Sequence, residues 1–191
     1  GGAYAAKFDL NSSTGVLFFL SPPDFENPGS VAGSNAYSVT IQVTDGTSPV
    51  TQAVTITVTN VNDAPAFTTP TSANIPENQT FALDLNATDP DGDTLTYSIS
   101  GGADAAKFDL NSSTGVLTFK NPPDFENPGS VAGSNAYSVT IQVTDGTSAA
   151  TQTVTITVTN ANDAPVFTTP ASASVPENQT LALDLNATDP D

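Results

Sequence analysis

Apolar and small polar side chains alternate along most of this chain. Tyr137, Val139, Ile141 and Val143 are separated by Ser, Thr and Gln, and Val154, Ile156 and Val158 by threonines. Leu95, Tyr97 and Ile99 alternate with Thr94, Thr96 and Ser98, and Phe81, Leu83 and Leu85 with Ala82, Asp84 and Asn86. A period of two predicts strands with one buried and one wet face, the habit of antiparallel sheets. Turn residues punctuate the runs at Asp89-Pro90-Asp91-Gly92, Ser113-Thr114-Gly115 and Asp145-Gly146-Thr147. Asp104–Phe108 has room for one helical turn. About seven strands in 100 residues predict a Greek-key β-sandwich.

The pattern repeats. Shifted by 100 residues, Gly1–Asp91 aligns with Gly101–Asp191, and 13 of the 91 pairs differ. Such a period is too long for a solenoid and suits a small sandwich domain. The punctuation between repeats is Asn60–Pro65 and its copy Asn160–Pro165, each following a long alternating run and ending in a proline that cannot continue a ladder. The expected organisation is a repeat lacking its first strands over 1–63, a whole repeat over 64–163, and the first strands of another over 164–191. Residues 92–100 are the piece that would join the last segment to the first, so the expectation is a window from a longer array.

Composition narrows the chemistry. Lysine and arginine together number 3, as Lys7, Lys107 and Lys120, against 20 acidic residues, for a net charge of -17; His, Cys, Met and Trp are absent. No thiol nucleophile, histidine base or zinc site of the usual ligands can be built. Three lysines cannot neutralise a phosphate backbone, which argues against nucleic acid, and an anionic membrane surface would repel the chain. The longest apolar run, Val16–Leu20, is far short of the roughly 20 residues of a membrane span.

The acids gather between strands. Glu77 lies in Pro76-Glu77-Asn78, Asp124 and Glu126 in Pro123-Asp124-Phe125-Glu126, Asp89, Asp91 and Asp93 share one turn, Asp145 opens another, and Asp163 closes a linker. Sandwich loops collect at two ends, so sequence-distant carboxylates can converge there and repel unless neutralised. Ca2+, which accepts six to eight oxygens in irregular geometry, fits better than Mg2+. The turn Asp89–Asp93 is not an EF-hand loop: its glycine falls at the fourth position and Ser100 stands at the twelfth.

In this order the elements resemble those of a cadherin repeat, in particular the cadherin-like tandem repeats of large bacterial surface proteins. The resemblance covers the whole chain and rests on Pro76-Glu77-Asn78, Asp89-Pro90-Asp91, Asp124-Phe125-Glu126, Thr144-Asp145-Gly146 and Asn160–Pro165, with Phe108-Asp109-Leu110 and Thr114-Gly115 in support. It implies all-β architecture, as tandem seven-stranded Greek-key β-sandwiches joined end to end, with about three Ca2+ ions at each junction. Carried over residue by residue, one junction would take Asp24, Glu26, Asn60, Asn62, Asp63, Asp89, Asp91 and Asp145. A second would take Glu77, Asp124, Glu126, Asn160, Asn162, Asp163, Asp189 and Asp191. With Asp45 and Glu177, fourteen of the twenty acids occupy ligand-type positions. Asn60 and Asn160 stand where the family usually has Asp, so one ligand is neutral. Asp9, Asp84, Asp109 and Asp184 match no ligand element and read as outward strand positions or turn caps; Asp93 reads either way.

The implied function is that of a calcium-rigidified structural or adhesive module in an extracellular adhesin, stalk or filament, with neighbouring repeats as partners and no enzymatic role. A carbohydrate- or protein-binding sandwich is the alternative, disfavoured by the lack of Trp. Tyr4, Phe18 and Leu20 replace Asp104, Thr118 and Lys120 of the other copy. They constitute either a lateral association patch or ordinary surface drift.

Overall fold

A computed structural model of the 191-residue chain describes residues 1–30 and 33–191. It divides into two compact units, Gly1–Asp63 and Ala64–Asp191.

The first unit holds β1 (Phe8–Leu10), β2 (Leu17–Phe19), β3 (Ala36–Thr44) and β4 (Pro49–Thr57). These make two antiparallel hairpins, β1–β2 and β3–β4. Phe8, Phe19 and Tyr37 pack as an aromatic cluster with ring centroids 4.5 to 6.4 Å apart.

The second unit comprises β5 (Ala66–Phe67), β6 (Ser72–Pro76), β7 (Phe81–Asp84), β8 (Ala87–Thr88), β9 (Thr96–Gly101), β10 (Phe108–Leu110), β11 (Val116–Phe119), β12 (Ala136–Thr144), β13 (Ala149–Thr159), β14 (Val166–Phe167) and β15 (Ala187–Thr188). A four-stranded sheet in the order β6-β13-β12-β9 faces a three-stranded sheet in the order β10-β11-β7. Ile75, Tyr97, Val139, Ile141, Val143, Val154, Ile156 and Val158 from one sheet meet Ala82, Phe108, Leu117 and Phe119 from the other in a single core. These are mostly the positions that the alternation selects. Ala105–Lys107 makes one 3-10 turn, and β5 pairs with β8 at the margin.

One strand departs from the pattern. Leu117 pairs with Leu83 but Thr118 pairs with Phe81, so Ala82 is an extra residue in β7. This bulge reverses the phase: Ala82 is buried while Phe81 is half exposed. Behind the same strand, Gly115 sits at φ +75°, and a β-carbon there would collide with the Leu85 carbonyl oxygen.

The pairing of β6 with β13 is parallel, with Pro76 opposite Thr159. Two strands far apart in sequence therefore finish side by side. Glu77 and Asn160, the next residue after each strand, emerge at the same end of the sandwich.

A candidate metal centre at the end of the sandwich

Glu77 is the keystone of this end. It comes directly after β6, whose last residue cannot donate a ladder bond because it is proline, and its own N–H donates to the Thr159 carbonyl at 3.1 Å. Asn78 then adopts φ 64°, a left-handed conformation that asparagine tolerates better than most residues. Its N–H donates to the Pro123 carbonyl at 3.0 Å. The Glu77 side chain is buried. Its Oε1 accepts from the Ala161 N–H at 2.9 Å and its Oε2 from the Phe125 N–H at 2.7 Å. One carboxylate thus ties the linker to the loop after β11.

That loop supplies more acid. Carboxylate oxygens of Glu77, Asp124 and Glu126 lie within 4.8 Å of one another. Asp124 Oδ1 accepts the Asn127 N–H at 2.8 Å, which fixes the loop. From the linker, Asn160 Nδ2 donates to Glu126 Oε1 at 3.3 Å, and the Asn162 side-chain amide donates to the Asp163 carbonyl at 2.7 Å. Asp163 Oδ1 accepts from Asn78 Nδ2 at 3.0 Å, and the Asp163 N–H donates to Asp191 Oδ2 at 2.7 Å. Partial desolvation, then the charges of Glu77, Asp191 and Asp163, push the Glu126 carboxyl above the ordinary glutamate range. Six of the sequence-selected residues (Glu77, Asp124, Glu126, Asn160, Asp163 and Asp191) are joined in this one network, and no cation of the chain takes part in it among the described residues.

A second acidic group occupies the turn after β8. Oxygens of Asp89, Asp91 and Asp93 lie within 4.8 Å of one another. Asp89 Oδ1 accepts the N–H groups of Asp91 at 2.9 Å and Asp93 at 3.3 Å, while Asp89 Oδ2 is buried with no hydrogen-bond partner. A buried carboxylate oxygen without a donor is costly in a protein of ordinary polarity and is suited to an oxygen-seeking cation. Asp189 and Asp191 repeat the turn's start, with the Asp191 N–H 3.3 Å from Asp189 Oδ1. Asp145 heads its own turn and accepts the Thr147 and Ser148 N–H groups at 2.6 Å each.

In the first unit, Asp24, Glu26 and Asp63 line a cavity of about 330 Å3 together with Pro23, Phe25 and Val61. Asp24 Oδ1 holds the Asn27 N–H at 2.8 Å, as Asp124 does in its copy, and Asn62 donates to the Asp63 carbonyl at 2.7 Å. Asn60 lies beyond the end of β4 as Asn160 lies beyond β13. Asp45 is held below the ordinary aspartate range by the Ser48 and Thr47 N–H groups.

Two functional features are not legible in the sequence. Asn78 positions both Glu77 and Asp163, a role signalled only by its place in Pro76-Glu77-Asn78. Asp104 is buried and accepts from the Val131 N–H at 2.6 Å and the Ser138 N–H at 2.8 Å. Its counterpart Tyr4 is half-buried, with its ring 5.5 Å from that of Tyr37. Tyr4 therefore turns inward and does not share the outward face on which Phe18 and Leu20 are exposed.

The chain is 35% identical over its whole length to protocadherin-16 of Rattus norvegicus, and 39% identical over 57% of its length to human protocadherin-15; it spans 6% of each. Across 68% of its length it is 31% identical to chitinase A of Pseudoalteromonas piscicida, of which it spans 15%. It superposes on the crystal structure of mouse protocadherin-24 EC1-3 with a TM-score of 0.57 at 23% identity, covering 100% of this chain and 65% of that one, which establishes the cadherin fold. Residues 62–160 match the profile of the bacterial cadherin-like domain. A β-sandwich of cell-adhesion type, this chain belongs to the bacterial cadherin-like domain family.

Proposed function

We propose that this chain is a calcium-binding structural and adhesive module of an extracellular adhesin, stalk or filament, and that Ca2+ at the linkers stiffens the array. The observation that carries the reading is the Glu77 network: a buried carboxylate bridging linker and loop, surrounded by Asp124, Glu126, Asp163 and Asp191, with no protein cation in it among the described residues. Glu77, Asp124, Glu126, Asp163 and Asp191 would be the ligands there, with oxygens of Asn160 and Asn162 beside them. Asp89 and Asp91, in the turn after β8, and Asp145 would be ligands at the first linker's junction. By the 100-residue repeat, Asp24, Glu26, Asn60, Asn62 and Asp63 carry the same residue types before Asp89, Asp91 and Asp145, while Asp189 opens the turn after the second linker.

Without the ion the carboxylates repel one another and strain the linker against the sandwich. A bound divalent cation supplies charge neutralisation, and the chain's own hydrogen bonds hold the ligands in place for it. Binding to the folded state alone stabilises it by about 2.7 kcal/mol per site at a hundredfold excess over Kd. Titration calorimetry with Ca2+ should therefore show saturable heat, Mg2+ much less, and EDTA should lower Tm. No calcium heat together with an unchanged Tm in EDTA would sink the reading.

A further inference from the structure

All three lysines of this acidic chain stand at copies of one cavity, and the calcium chemistry uses none of them. In the second unit Lys107 and Lys120 line a cavity of about 410 Å3, and in the first unit Lys7 lines one of the same volume. The two correspond residue for residue under the 100-residue shift, and all but two of the eleven lining residues are identical. The exceptions are Lys120, with Leu20 as its copy, and Asn121, with Ser21. Ligand pockets occupy about 300–1,000 Å3.

The polar groups that meet there have unused bonding capacity. Buried Tyr137 lines the cavity and its Oη accepts the Gly129 N–H at 2.9 Å. Its own proton has no acceptor among the described residues and is left to donate. Lys107 makes no side-chain hydrogen bond or ion pair among the described residues. Lys120 donates to the Ala106 carbonyl at 3.1 Å and has one loose, exposed pair with Asp109 at 3.9 Å. Gly129 keeps the space above them clear. Its φ is not positive, so conformation does not call for glycine, yet Lys107 Nζ and Tyr137 Oη lie 3.7 and 3.8 Å from where a β-carbon would stand. At Gly29 the same point is 3.2 Å from Lys7 Nζ and 4.0 Å from Tyr37 Oη. A cation and a hydroxyl donor thus converge on one place in both copies.

We propose that this cavity binds the carboxylate of an acidic sugar, a single uronic acid residue. Lys107 and Lys120 face the carboxylate and the Tyr137 O–H donates to it. The Asn121 and Asn127 amides, which both donate and accept, serve the ring hydroxyls, and Pro122 and Pro123 receive its C–H face. Phosphate fits less well, because the main-chain N–H groups around the cavity are already committed. That of Lys120 bonds the Lys107 carbonyl at 2.9 Å, that of Asn127 bonds Asp124, and that of Gly129 bonds Tyr137, so no nest of amides remains. Asp124 also lines the cavity and opposes a second negative charge on the ligand. Charge rather than ring stacking holds the sugar, so the lack of Trp does not weigh against this site. With Leu20 in place of Lys120, the first unit's cavity is the weaker of the two.

The test is a titration of the isotope-labelled 191-residue chain with glucuronate, acetate and glucose, followed through its amide resonances. Buffer stripped of divalent ions on a chelating resin keeps the result independent of the calcium reading. Glucuronate should shift the Gly129 amide saturably. Acetate, with the charge and no ring, and glucose, with the ring and no charge, should each bind about tenfold more weakly or less. Lys107→Gln should weaken glucuronate about tenfold, and because Lys107 is exposed the rest of the spectrum should stay in place. Lys120→Leu should lower the affinity read at Gly129 towards that read at Gly29, and Leu20→Lys should raise the latter. No glucuronate shift at Gly129, or Lys107→Gln binding as the parent does, would overturn the proposal. So would acetate binding as tightly as glucuronate, which would mark an adventitious ion only.

Discussion

Asp104 and Tyr4 occupy the same place in two copies and hold their surroundings by different means. Asp104 is buried and its two carboxylate oxygens accept the Val131 and Ser138 N–H groups. Removing it strands two buried donors, each costing about 1–3 kcal/mol. Asp104→Ala should therefore destabilise the second unit by about 3 kcal/mol in urea unfolding, while Tyr4→Ala removes an edge-on ring contact of only about 1 kcal/mol from the first. Glu126 gives a different signature, in pH. Its folded-state carboxyl lies above the ordinary value of 4.5, chiefly through desolvation and then through Glu77, Asp191 and Asp163. A raised acid binds its proton more tightly when folded. Metal-free stability should accordingly rise as pH falls from neutrality through that raised value, and level off once pH is below 4.5. Glu126→Gln should flatten this rise in a thermal-melting series in EDTA. An identical pH slope in the variant would assign the effect elsewhere.

At the scale of elements, alternation is readable wherever a strand runs without interruption. Tyr137 to Val143 and Val154 to Val158 face inward as their period requires. β7 escapes the pattern because a bulge at Ala82 is set by its pairing with β11, and no local residue announces it. Alternation and fold make opposite predictions there. A pattern-based core puts Phe81 inside, whereas the fold puts Ala82 there. Ala82→Leu should cost about 2 kcal/mol through overpacking, and Phe81→Ser less than about 1 kcal/mol. Denaturant midpoints of the two variants decide between them. The acids of the site are legible because turn residues and fixed spacing isolate them from the strands. Their convergence is not, since it depends on β6 and β13 ending together, a parallel pairing across more than 80 residues. The burial of Glu77 and the left-handed turn at Asn78 result from that pairing and carry no pattern of their own.

For the whole molecule, the repeat provides an internal control on what closing a core contributes. Tyr37–Ser48 and Tyr137–Ser148 have one sequence in two environments. In the second, four inward side chains are buried and a neighbouring strand lies on either side of β12. In the first, Tyr37 and Val39 are buried, Ile41 is half-buried and Val43 is exposed. Opening free energy tracks buried apolar contact and protected ladder bonds, so identical amides should exchange at different rates. Hydrogen-exchange mass spectra of peptides within this shared sequence should be bimodal, with two equal populations. Peptides extended across Pro49-Val50 or Ala149-Ala150 differ in mass and assign the fast population to β3 and β4. A single exchange rate for both copies would mean that the β3–β4 hairpin is already as well protected as its copy in the closed sandwich.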